Sequence, residues 1–210
     1  LSAGRPPGLV GYWKLDENTG GVAGDLSGNG NTGTLTNSPS WITAHHGAGL
    51  SFNGTTAHVD AGNTSSLDIN GAVDLTLSAW IKKPGGSWDG NNGKYHSVVF
   101  KGSVFAQGYG LYVYERVPNR EFRLQFSYNS GGGSANWIIG SGGPVSFASE
   151  WTHVVGIKQG TNTKLFSNGS LVASSSGQSG TITSTSDNLC IGKPAGSYHA
   201  NDMGFPGYID

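Results

Sequence analysis

"VDLTLSAWIKK", residues 73–83, decides the architecture. Leu75, Leu77, Ala79 and Ile81 fall on one side of an extended chain, and Thr76, Ser78 and Trp80 on the other. That two-residue period describes a strand with one buried face. The same period recurs from end to end. "LVGYWKL" (9–15) sets Val10, Tyr12 and Lys14 against Gly11, Trp13 and Leu15. "AGLSFNG", "AHVDAG", "HSVVFKG" and "EWTHVVGIKQ" follow, and "NTKLFSNGSLVAS" carries Asn168-Gly169 as a two-residue turn. "YGLYVYERVPNREFRLQFSY" (109–128) reads as a hairpin turning at Pro118 and Asn119, while "NLCIG" and "GFPGYID" close the series. No segment sustains a 3.6-residue apolar period, so the chain is expected to be all-β, an antiparallel sandwich or jelly roll.

The bulk composition narrows function. The 210 residues suit one sizeable core, with residues 1–8 as a linker or extension and 9–210 as the domain. Thirty-six glycines would suggest disorder, but six Trp, eight Tyr and eight Phe supply a core. Charged residues are only 12% and the net charge is −1, which argues against a nucleic-acid surface. No apolar stretch is long enough for membrane insertion. Cys190 stands alone among apolar neighbours and reads as an inert buried thiol. Scarce cysteine with abundant Asn, Gly, Ser and Thr fits an exported protein at the cell surface or outside the cell.

"DLSGNGNTGTL", Asp25–Leu35, gathers oxygen-bearing side chains and glycines in one turn. Two readings compete. Asn and Asp can bond their own backbone while glycine takes positive φ, which makes a turn. The same oxygens also suit a hard cation such as Ca²⁺.

In order along the chain, "GLVGYWKLDENTG", "DLSGNGNTGTL", "GAGLSFNG", "LTLSAWIK", "EWTHVVGI", "TKLFSNGSLVAS" and "GYID" resemble laminin-G-like domains of the concanavalin A-like lectin/glucanase superfamily. The resemblance runs from about Gly8 to Asp210. It implies a jelly roll of two curved antiparallel sheets. It also implies a structural Ca²⁺ held by Asp25, Asn29 and Asn31 with Asp210 from the final strand. Domains of this kind usually run on past "GYID", so a longer natural chain, or a last strand completed in another way, is expected.

The superfamily includes glycoside hydrolases, but the laminarinase-type string Glu-x-Asp-x-x-Glu is absent. Glu115 and Glu121, with Arg116 and Arg120, read as cross-strand pairs on a solvated hairpin tip. His153 reads as a structural histidine, and His45-His46 as a loop pair lacking further zinc ligands. No catalytic residue is assigned.

Sugars are recognised by aromatic faces beside hydrogen-bonding groups. Trp13, Trp80 and Trp151 fall in strands like those of the resembled family, which implies a place in the core. Trp88 lies among glycines with Asp89 and Asn91. Tyr112 and Tyr114 share a strand face opposite Leu111 and Val113, and Arg123 and Gln125 alternate with Phe122, Leu124 and Phe126. With Trp137, these residues form the expected ligand groove. A non-catalytic carbohydrate-binding or adhesion module follows, with polysaccharide or glycan as partner. The competing expectation is a structural subunit of an extracellular fibre, surface layer or viral particle, self-associating through an incomplete edge.

Overall fold

The computed structural model describes residues 6–83, 93–102, 108–116, 119–126, 137–139, 150–177, 182–195 and 202–210. Its strands in chain order are β1 (Val22–Ala23), β2 (Gly33–Thr36), β3 (Ser40–Thr43), β4 (Ala48–Ser51), β5 (His58–Asp60), β6 (Leu75–Lys82), β7 (Tyr95–Gly102) and β8 (Gly108–Arg116). There follow β9 (Asn119–Phe126), β10 (Trp137–Ile139), β11 (Thr152–Gln159), β12 (Asn162–Ser167), β13 (Ser170–Ser175), β14 (Leu189–Ile191), β15 (Asp202–Gly204) and β16 (Tyr208–Ile209). Among the described residues they form two sheets. The nine-stranded sheet runs β1-β2-β5-β14-β7-β8-β9-β10, with β15 parallel to β7. The seven-stranded sheet runs β13-β12-β11-β6-β16-β4-β3. The expected all-β sandwich is present, and every pairing except β15–β7 is antiparallel.

Alternation builds the core. Leu50, Val59, Ile81, Val98, Leu111, Val113, Val154 and Ile209 are buried between the sheets, each apolar side chain of Val or Leu size contributing about 1.5–3 kcal/mol. In β11, Thr152, Val154, Gly156 and Lys158 are buried while the residues between them are half-buried. The β12–β13 turn is as read: Asn168 and Gly169 have φ of 48° and 77°, the left-handed pair of a type I′ hairpin. Asn168 also clasps β11. Its N–H donates to His153 C=O at 2.8 Å, and its side-chain carbonyl accepts His153 N–H at 2.8 Å.

Several side chains sit where the sequence reading did not place them. Asn119 opens β9 opposite Arg116, so the β8–β9 connection is 117–118, outside the described residues. Glu115 is not on a solvated tip. It is buried, with an oxygen 3.4 Å from His96 Nε2. Trp80 and Trp151 are half-buried, and their ring contacts lie with His45, His153 and Tyr208 on the outer face of the seven-stranded sheet. Trp13, by contrast, packs against the core as expected. Cys190, in β14, is buried, and burial followed by the nearby Asp60 carboxylate pushes its thiol up to about 12.

Leu111→Ala is expected to lower the unfolding free energy by about 2–5 kcal/mol, because Leu111 is fully buried. Leu171→Ala, at a position 53% exposed, should change it by no more than about 0.5 kcal/mol. Urea titration of both variants checks the assignment of the core.

Candidate ligand-binding site

Two outer faces and one loop carry the candidate chemistry. On the nine-stranded sheet, register brings the expected groove positions together: Arg123 lies opposite Tyr112, Gln125 opposite Gly110, and Trp137 opposite Gln125. Trp88, Asp89 and Asn91 lie outside the described residues. Tyr112 does face away from Leu111 and Val113, but it is no free stacking surface. It is fully buried in a second apolar cluster with Tyr95 and Phe100. Tyr114 is the accessible member, half-buried and stacked on Tyr95 with ring centroids 4.8 Å apart.

The Asp25 loop is a hydrogen-bonded clasp. Asp25 Oδ1 accepts the N–H groups of Tyr12 (3.0 Å) and Ser27 (2.8 Å). Its Oδ2 accepts Ser27 Oγ–H (2.7 Å) and Asn31 N–H (2.9 Å). Partial burial pushes the carboxyl pKa up, but these bonds outweigh it and hold the group below the ordinary carboxylate value. Asn31 is fully buried: its amide donates to Val10 C=O at 2.7 Å, and its Oδ1 accepts Thr64 and Ser66 hydroxyls at 2.5 and 3.1 Å. Asn29 spends its amide N–H groups on Leu9 and Val10 carbonyls and Ser27 Oγ. Asp210 accepts His46 N–H at 2.7 Å.

The lone pairs that a cation would need on Asp25 and Asn31 are therefore occupied by donors. The donor set does not fit the expected calcium site, and the turn reading accounts for the loop. No cluster of three His, Cys, Asp or Glu suited to a metal occurs among the described residues.

A ledge that alternation marked but the sequence reading assigned to the core lies on the outer face of the seven-stranded sheet. The exposed His45 stacks on Trp80 at 3.7 Å and 13°, and Trp80 stacks on His153 at 4.9 Å and 29°. Trp151 lies 6.2 Å from His45 and 6.3 Å from Tyr208. His153 Nε2 is 2.8 Å from Ser78 Oγ. That pair is no triad, because among the described bonds no carboxylate meets the second ring nitrogen. The ledge thus presents apolar ring edges beside hydroxyl, imidazole and carboxylate groups. The placement of Trp80 with Thr76 and Ser78 on the polar side of β6 was the available signal.

Partial burial, followed by the neighbouring His45, holds His153 below its ordinary value of 6.5. The unfolded chain then binds this proton more tightly, so the contribution is present above about pH 6.5 and is lost as pH falls towards the lowered folded value. His153→Gln should flatten the dependence of melting temperature on pH between about 7 and 5. Asp25→Ala should cost about 2–4 kcal/mol, by stranding three backbone N–H groups and a hydroxyl. Its melting curve, like that of the parent chain, should be the same in calcium and in chelator.

The family model Laminin_G_3, described as the concanavalin A-like lectin/glucanases superfamily, matches residues 52–210. No curated protein matches the chain. Among solved structures, domain 4 of AbnA, an extracellular GH43 arabinanase from Geobacillus stearothermophilus, in complex with arabinotriose, is similar at TM-score 0.66 and 16% identity, covering 96% of this chain and 89% of that one. The binding domain of Paraclostridial Mosquitocidal Protein 1 is similar at TM-score 0.66 and 18% identity, covering 96% and 48%. The botulinum neurotoxin serotype D binding domain has TM-score 0.57 and 19% identity, covering 91% and 45%. The chain thus spans about half the length of the two toxin binding domains. At these identities the structural likeness speaks to the fold, and the family match carries the assignment: the chain belongs to the concanavalin A-like lectin/glucanase superfamily.

Proposed function

We propose that this domain is a non-catalytic carbohydrate-binding module of an exported protein, engaging polysaccharide or glycan through stacking and hydrogen bonding. The observation that carries the reading is the outer-face ledge, where Trp151 and Tyr208 lie beside the His45–Trp80–His153 stack. Sugar C–H faces stack on such rings, while hydroxyls take neighbouring hydroxyl, imidazole and carboxylate groups. Ser78, His46 and Asp210 supply those groups here. The arabinotriose complex of the AbnA domain supports the choice of ligand class. The low charge supports it as well, since 12% charged residues and a net charge of −1 leave little for steering an ionic partner.

A binding role is favoured over catalysis by the carboxylates. Glu115 is buried against His96 rather than presented in a cleft, and Ser78–His153 has no orienting acid among the described bonds. The nine-stranded face remains the second location for the same ligand class, through Tyr114 and the positions Arg123, Gln125 and Trp137.

A glycan and polysaccharide panel tests the reading on the folded domain. Binding to one class is expected, weakened about tenfold or more by Trp151→Ala or Tyr208→Ala. Loss on Tyr114→Ala, with the ledge variants unchanged, would move the site to the other sheet. No binding to any polysaccharide would refute the function itself.

A further inference from the structure

Three of the six histidines gather around one tryptophan. His45 stacks on Trp80, His153 stacks on it from β11, and His46 meets it edge-on with centroids 5.8 Å apart. His45 and His46 are themselves 4.2 Å apart at 82°. The three rings are held unequally. His153 is half-buried and bonded to Ser78 Oγ. The exposed rings of His45 and His46 make no hydrogen bond among the described ones and keep their places through ring contacts. Of these two it is His45 that lies flat on the Trp80 face.

The charges around the stack cancel while the imidazoles are neutral. Lys14 pairs with Asp16, whose Oδ1 accepts Ala48 N–H at 2.9 Å beside the histidine loop. Lys82 follows Trp80 on the same face of β6, and Asp210 lies across the ladder from Trp80. Tyr12 and Tyr208 complete the titratable groups there, and Asn168, beside His153, is uncharged. Two lysines thus stand against two aspartates, and no carboxylate is spare for an imidazolium. A single imidazolium is still attracted to an indole face. A second, a few ångströms away, is repelled by the first, so the set titrates as a unit. Burial, followed by the His45 charge, opposes protonation of His153.

We propose that the histidine stack makes ligand binding at the ledge acid-labile. While the imidazoles are neutral, His45 lies on Trp80 and the ledge is ordered. As they charge, His45 swings off the indole, and ligand held at neutral pH is released below about pH 6. The affinity lost is that of pre-ordering, since the ligand must then fix a ring that the free protein no longer fixes. A neutral glycan brings no carboxylate to offset the new charge, so the effect is a loss. The release rests on the carbohydrate reading of the ledge, whereas the opening of the stack rests on the rings alone.

The first readout needs no ligand. In the isotope-labelled 210-residue chain, nuclear magnetic resonance should show the His45 ring protons shifted upfield by Trp80 at about pH 8, and that shift lost by about pH 5. A shift that persists throughout would overturn the proposal. The second readout is retention on columns of immobilised arabinan, xylan, galactan and β-glucan, neutral polymers that do not titrate themselves. Retention on at least one should weaken about tenfold or more between about pH 7.5 and about pH 5. In His45→Phe, whose ring stacks but takes no proton, that ratio should fall to about one, whatever the affinity at neutral pH. An undiminished ratio in His45→Phe, or equal retention at both pH values in the parent chain, would overturn the release. A stack that opens with no retention on any column would instead refute the carbohydrate reading, and the release with it.

Discussion

A strand buried in a sheet must satisfy its backbone on both sides, and β6 pairs with β11 along Leu75–Ile81 on one side and with β16 and Asp210 at Trp80–Lys82 on the other. Much of the molecule is arranged around this strand. β11 supplies the complete partner and carries His153, which Asn168 clasps from the neighbouring hairpin. The segment Val10 to Leu15 is held by the loop that follows it. The Asp25 carboxylate binds Tyr12, and Asn29 and Asn31 together bind Leu9 and Val10 carbonyls. Trp13 adds its indole N–H to the Asn31 carbonyl at 2.7 Å. The asparagine-rich turn therefore positions the Val10–Leu15 segment, a task that needs directional bonds more than it needs a charge.

The fold was legible because alternation is a strong signal where one face is buried. β6 follows from the sequence with its sides assigned, and β11 and the Asn168-Gly169 hairpin follow as elements. Alternation says which side a residue takes and nothing about what covers that side. Tyr112 was placed on the correct side of β8 and is nonetheless buried, because a second cluster of Tyr95 and Phe100 encloses it. Glu115 was read from its nearness to a turn, but its burial depends on β7, which delivers His96 beside it. Trp80 carries the opposite lesson. Its phase pointed outward, which the core reading drawn from its place in a family-like strand did not follow.

The Asp25 loop marks a different limit. A hydrogen-bonded turn and a cation site draw on the same residue types, since both need clustered oxygens and freely turning glycines. The difference lies in the direction of the neighbouring N–H groups, and direction follows from how the backbone closes. Here three backbone N–H groups converge on one carboxylate. Convergent donors are what an anion recruits. No count of Asn, Asp and Gly could have separated the two cases.

The ledge is built across β6 and its neighbours, and its rings are held from several elements at once. Trp80 lies between two imidazoles, one from the β3–β4 loop and one from β11. Its own backbone is paired with Asp210, and Asp210 in turn holds His46 of the same loop. Every ring of the stack is thereby tied to an element other than its own. Ordering those side chains in advance lowers the entropy lost when a ligand settles on them. A nearly neutral surface cannot gain much affinity from long-range attraction. For this domain, fixed ring geometry is the available source of affinity, and the pairing of Trp80 with Asp210 maintains it.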